Sequence, residues 1–219
     1  MESLVELLHW KQPASFVLVK DCVSTQSDFL VAAKLCYLLF VKQEHVVLFA
    51  LKESMQHYYM IVRKLGSNLT AAITAGQLNV ITELSSPNLL FNLTATSKKC
   101  LSDKTANIII DNITVLFNLA PPRNVVSWLE YMQKQSKDHV LFVGASADVK
   151  SDEPLISLLE YKADSVITVK PLQSGFSKDV TGQLSIVHRE KSHGTATSIT
   201  TFHYKCQENH VQMFPRGTK

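Results

Sequence analysis

The hydrophobic pattern switches between two periods for three-quarters of the chain and then keeps only one. Compact apolar runs at 15–20, 45–51, 77–84, 106–112 and 139–143 predict buried strands. Helical spacing fills the gaps between them. A short helix over 2–10 leads to Pro13, and Ser27 or Asp28 caps a second that runs to about Val41. In 53–65, Met55, Tyr58, Tyr59, Ile61, Val62 and Leu65 share one face, and Gly66 stops the helix. Pro121-Pro122 opens a helix to about Gln135 that carries Val125, Val126, Trp128, Leu129 and Met132, and 152–161 is another. Residues 85–105 are ambiguous, with Ser86-Pro87 opening a possible helix and Ser97-Lys98-Lys99 reading as a loop. Strand alternating with helix implies a parallel, right-handed α/β sheet with helices on both faces.

From Asp164 the helical spacing disappears. Residues 164–169, 182–190, 198–207 and 211–214 predict four strands joined by turn residues such as Ser174-Gly175 and His193-Gly194. The expected organisation is one domain over 1–219, an α/β core through 163 with an antiparallel meander over 164–219, and no internal repeat.

Composition narrows the class. The 219 residues are 46% hydrophobic with only 7 Gly and 7 Pro, enough to bury a core and unlike a disordered chain. Acids at Glu2 and Glu6 stand where a signal peptide carries bases, which predicts an intracellular protein. The longest apolar run, 29–41, is too short to span a bilayer and is broken by Lys34, so no membrane segment is expected. Asn-x-Thr sequons at Asn68, Asn92 and Asn112 are then chance matches. The four cysteines lack paired zinc-site spacing, and His203 and Cys206 point to opposite faces of an extended strand, so no metal site is expected. The formal charge of +3 is unevenly spread: 170–219 holds seven bases and three acids, a net of +4, while 1–169 nets −1. A solvated strand face explains this, and a phosphate- or subunit-contacting surface is the alternative.

The run at 106–112 ends on Asp111, at the carboxyl edge of a central strand, where open α/β sheets place their ligands. This is the shape of a Walker B element, whose Asp holds the magnesium of a bound nucleotide; the alternative is a loop-forming or helix-capping Asp. The test lies after the first strand. A phosphate loop needs glycines, a Lys on the phosphates and a Ser/Thr on magnesium. The stretch from Lys20 to Phe29 contains no glycine, lacks the Lys at the helix start, and has Asp21 and Asp28 to repel a triphosphate. Ser24, Thr25 and Ser27 are left to serve the helix terminus. The chain is therefore not expected to cradle ATP in the ordinary way. Gly144-Ala145-Ser146-Ala147 lacks the second glycine of a nucleophile elbow.

Three stretches carry a likeness to a known family. His57-Tyr58-Tyr59-Met60-Ile61-Val62-Arg63-Lys64-Leu65-Gly66 with Leu69-Thr70, then Gly76-Gln77-Leu78, then Ser174-Gly175-Phe176-Ser177-Lys178-Asp179-Val180 with Gly182-Gln183-Leu184, resemble the Elongator complex protein 6 family. The likeness extends in order over nearly the whole chain. It implies a RecA-like fold of the P-loop NTPase type with a degenerate Walker A loop, no cofactor and no catalysis. It also implies a ring of six with Elongator proteins 4 and 5, two copies of each. That ring docks on the remaining Elongator subunits and helps bind and release tRNA during wobble-uridine modification, in the cytoplasm with the nucleus as a second compartment. Family members are often longer, which places a shortened loop around 85–105.

On that likeness the loops after the Asp111 strand and the following strand face a ring channel. Arg123 and Lys150 are then candidate RNA-phosphate contacts, against the alternative of solvated loops. Arg189 and Lys191, two apart on a strand, are candidates for a subunit interface, against an exposed hairpin end. Two competing functions stand beside the scaffold: an ATPase with an unconventional phosphate loop, motivated by Asp111, and a stand-alone RNA-binding module driven by the basic meander.

Overall fold

The computed structural model describes residues 6, 8, 10, 15–82, 84, 88–101, 106–136, 139–175, 177–189 and 196–215. Along the chain come β1 (Phe16–Asp21) and α1 (Asp28–Cys36), which continues as a wider π turn over Tyr37–Val41. Next are β2 (Val46–Phe49), α2 (Met55–Lys64), α3 (Leu69–Thr74), β3 (Leu78–Ile81) and α4 (Leu89–Leu101). After β4 (Asn107–Ile110) and the single turn α5 (Thr114–Phe117) follow α6 (Pro122–Gln135), β5 (Leu141–Ser146) and α7 (Glu153–Lys162). The chain closes with β6 (Ser165–Lys170), β7 (Gly182–Arg189), β8 (Ala196–Cys206) and β9 (Val211–Pro215).

All nine strands form one sheet in the order β3-β2-β4-β5-β1-β6-β7-β8-β9. The first six of that list run parallel, and β7, β8 and β9 add antiparallel to the β6 edge. Because strand side chains alternate, each central strand feeds two cores. Val17, Val19, Leu48 and Ile109 pack with α1 and α2 on one face. Phe16, Leu18, Phe49 and Ile110 pack with α4, α6 and α7 on the other, where Trp128 meets Phe49 edge-on with ring centroids 5.3 Å apart. Burial on both faces is why the central strands read as unbroken apolar runs. Phe29 of α1 stacks on Tyr204 of β8 at 5.1 Å, so the antiparallel part shares the first core.

Several expectations need correction. Ser97-Lys98-Lys99 is helix, inside α4. The Ser97 hydroxyl donates to the Thr94 carbonyl at 2.8 Å and Thr94 donates to Leu90 at 2.7 Å, so both hydroxyls are satisfied by their own helix. Neither Ser27 nor Asp28 caps α1 through its side chain. Gly66 does end α2, with φ +83, but the chain re-enters a helix at once, because Asn68 caps α3 by accepting from Thr70 N–H at 3.0 Å. The strand read as the first of the meander, β6, pairs parallel with β1 and antiparallel with β7.

Lys34 breaks the apolar run of α1 without leaving the core: it is 2% exposed, with its ammonium 4.8 Å from the Trp10 ring centroid and 5.4 Å from that of Tyr37. Burial brings its pKa down to about 7. The unfolded chain therefore holds a proton on this lysine between about pH 7 and the ordinary lysine range while the folded chain does not, so stability rises with pH across that window. Urea unfolding between pH 7 and 8.5 should show this rise, and Lys34→Met should flatten it; an unchanged slope in the variant would assign the rise to other groups.

Candidate functional site

The parallel strands end together along one edge of the sheet, and the ends of β4, β5 and β1 lie side by side there. β5 separates the Asp111 strand from β1, so the two places where magnesium and phosphate chemistry would be sought lie two strand spacings apart. Gly144 of β5 permits this neighbourhood: a Cβ there would lie 1.9 Å from the Asp111 carbonyl oxygen.

Beyond β1 the chain makes a tight turn closed by Thr25 N–H donating to the Cys22 carbonyl at 3.0 Å, with Val23 80% exposed at its tip. It then enters α1. The position a phosphate would take at this helix start is held by a side chain of the protein itself. Asp21 Oδ2 accepts from the Ser27 N–H at 3.0 Å and from the Ser27 hydroxyl at 2.9 Å. Its Oδ1 accepts from the Ser146 hydroxyl at 3.1 Å, and Ser146 accepts from the Asn112 amide at 2.7 Å. One relay of hydrogen bonds, Asn112–Ser146–Asp21–Ser27, thus ties the ends of β4, β5 and β1 to the start of α1.

Asp111 is equally committed. Its carboxylate accepts the N–H groups of Leu51 at 2.8 Å, Lys52 at 3.1 and 3.2 Å, and Glu53 at 3.0 Å, and the Tyr58 hydroxyl at 3.2 Å. Three successive backbone donors closing on one anion make a nest, and here its anion is built in. Burial pushes the Asp111 carboxyl up, an effect the three N–H groups and Tyr58 partly offset. Burial, with Asp111 next, drives the Tyr58 phenol far above its ordinary range and keeps it a donor. Of the two roles open to Asp111 in the sequence, the structure shows the loop-forming one.

Between these anchors sits a small charged cluster. One oxygen or nitrogen each from Asp28, Glu53 and His57 come within 4.8 Å of one another, a set able to hold a cation. Lys52 already supplies one, with its ammonium 3.6 Å from Asp28 and 3.6 Å from Glu53, while His57 Nε2 lies 3.2 Å from Asp28. Burial raises the Asp28 carboxyl, against the pull of Lys52. Burial works to lower Lys52, but Asp28, Asp21 and Glu53 outweigh it and leave the ammonium above its ordinary value.

The other residues singled out in the sequence are spread around this edge and beyond. Arg123 is exposed in the first turn of α6, and Lys150 is exposed in the 3-10 turn Lys150–Asp152 after β5. Both follow neighbouring strands on the carboxyl edge, as their loops require. Arg189 is half-buried at the end of β7, where the register with β8 shifts, and its backbone N–H donates to the Asp164 carbonyl at 2.9 Å. Lys191 lies outside the described residues. Lys52 was overlooked in the sequence because a lysine after a strand has no signature of its own. The roles of Asp21 and Ser27 had a readable signal: a second strand ending on Asp, six residues before a helix-opening Ser.

The comparisons with known proteins agree with this architecture. The family model described as Elongation complex protein 6 matches residues 6–102 and 92–208. The chain belongs to the Elongation complex protein 6 family. Elongator complex protein 6 of Mus musculus is 29% identical over 88% of this chain and 87% of its own length. That of Xenopus tropicalis is 29% identical over 92% and 90%. A KaiC-like protein of the archaeon Pyrococcus horikoshii superimposes with a TM-score of 0.72 at 15% identity, covering 96% of this chain and 94% of that one. Family and neighbour together make the fold RecA-like. No helix among the described residues is long and apolar enough to cross a membrane.

Replacing Asp111 with Ala orphans three buried or half-buried N–H groups and a phenol at once. The expected loss is about 3 kcal/mol, since each unsatisfied buried donor costs on the order of 1–3 kcal/mol and water re-enters at part of the site. Urea unfolding checks it, and a midpoint equal to that of the parent would mean that the loop after β2 does not depend on this carboxylate.

Proposed function

We propose that the chain is a non-catalytic RecA-like subunit of the Elongator complex. It forms a six-membered ring with two copies each of Elongator proteins 4 and 5, and the ring docks on the remaining subunits to support tRNA binding and release in wobble-uridine modification. The site of action is the cytoplasm, with the nucleus as a second compartment. One observation carries the non-catalytic part. Asp21 fills the anion position at the start of α1, and Asp111 spends its lone pairs on Leu51, Lys52 and Glu53. A triphosphate would have to displace the first against like charge, and a magnesium ion would have to take the oxygens of the second from three backbone N–H donors and the Tyr58 hydroxyl.

Family membership supports the ring and the tRNA role, and the named relatives are Elongator complex proteins. In this reading Arg123 and Lys150 contact RNA phosphates from the carboxyl edge, and Arg189 with Lys191 contributes to a subunit interface as an ion pair or a trans-acting finger.

Native mass measurement of the chain co-expressed with Elongator proteins 4 and 5 should show a species with two copies of each, and ATP titration of the chain itself should give no saturable binding. Saturable ATP binding would favour an ATPase with an unconventional loop; tight RNA binding by the lone chain would favour a stand-alone module. Changing Arg123 and Lys150 together to Ala should weaken RNA binding by the ring and flatten its salt dependence, by about 0.7 in log–log slope for each single-strand phosphate contact removed. An unaltered slope would remove both residues from the RNA path.

A further inference from the structure

A groove of about 600 Å³ lies between α2 and α3, on a face of α2 other than the one from which Tyr58 reaches Asp111. Gln56, Tyr59 and Arg63, spaced three and four residues apart and so on one face of α2, form one wall, and the turn at Ser67 and Asn68 with Leu69 and Thr70 forms the other. Tyr59, Arg63, Leu69 and Thr70 of this lining fall in the stretch that resembles the family, yet none takes part in the carboxyl-edge relay.

The groove is rich in donors and holds no acid. Among the described residues no ion pair engages Arg63, which is exposed, so its guanidinium fork faces the groove uncompensated. The Tyr59 and Thr70 hydroxyls and the Gln56 amide add neutral donors beside it. Apolar side chains stand next to the lining on both helices: Met60 is 52% exposed and Ile73 is 37% exposed. The lining itself holds Arg63 and Tyr59 and no Lys or Glu, the residue bias of protein interfaces, with exposed Met60 and Lys64 flanking it on α2. A strand of nucleic acid presents a phosphate at every few ångströms and calls for a row of cations, whereas this lining has one. A lone planar fork suits one carboxylate, taken bidentately.

We propose that the α2–α3 groove receives an acidic segment of a partner chain, with an Asp or Glu carboxylate on Arg63 and apolar neighbours of that acid against Met60 and Ile73. This goes beyond membership of a ring: it assigns the contact to one groove and gives the partner's chemistry.

The test is a photo-crosslink from within the groove. Tyr59→p-benzoylphenylalanine is introduced into the full chain, which is co-expressed with Elongator proteins 4 and 5, irradiated, and mapped by mass spectrometry of the joined peptides. Native mass measurement on the same sample reports assembly separately, so failure of the ring and failure of the groove are told apart. The expected product joins position 59 to a peptide of another chain that contains an Asp or Glu. Arg63→Glu should reduce its yield about tenfold, and exchanging the mapped acid for Arg should restore it. Joining to an acid-free peptide, joining to RNA, or no joining in an assembled sample would overturn the proposal. If no assembly forms, the peptide acetyl-Glu-Glu-Glu-amide is the probe for the lone chain. Crosslinking to it that Arg63→Gln removes supports the groove; no crosslinking, or crosslinking unchanged in that variant, overturns it.

Discussion

A carboxylate accepting backbone N–H groups from another segment is the interaction on which the ordering of this sheet depends; Asp164, Asp21 and Asp111 use it at strand ends, and Asp148 accepts the Val23 N–H at 2.7 Å in the exposed turn after β1. Asp164 accepts from Ser15 N–H and Phe16 N–H at 3.0 and 2.9 Å, and sets the start of β1 beside β6. Asp21 holds the start of α1 against the end of β1, and Asp111 holds the loop after β2 against the end of β4. Each bond is charge-assisted, and each joins groups far apart or across a turn, so the aspartates define geometry that apolar burial, being non-directional, leaves open. In a sheet whose neighbours are distant in sequence, such fixed points decide where loops leave the strand ends.

The same bonds explain why a nucleotide-binding architecture persists without glycines after β1. A phosphate loop is a row of backbone donors awaiting an anion. Here the donors at Ser27 and at Leu51 to Glu53 remain, and carboxylates of the chain satisfy them. Lys52, between Asp28 and Glu53, plays the matching part for positive charge. The edge is electrostatically closed rather than vacant, and its closure is made of ordinary pairings.

Much of this was legible along the chain, for reasons that differ by element. The parallel strands were readable because burial on both faces removes polar residues altogether, and β7 to β9 because half-buried strands alternate. Gly66 and Pro121-Pro122 marked helix limits correctly. Ser97-Lys98-Lys99 misled because a helix turned toward the core on one side can carry a buried hydroxyl and two exposed lysines in succession. The dual allegiance of β6 was invisible, since parallel and antiparallel neighbours ask the same side-chain pattern of one strand. Asp111 was found at its place, while its partners were not, because a carboxylate that binds backbone leaves no mark on the identity of its donors. Lys34 looked like an interruption and is a core residue, sheltered by two aromatic rings that no spacing rule connects to it.

Lys52 has a consequence for how the carboxyl edge of the sheet responds to its surroundings. An ammonium tethered to the polypeptide has no dissociation rate, so chelators cannot strip it and the supply of divalent ions cannot vary its occupancy. The charge balance of Asp28 and Glu53 is thereby written into the chain itself.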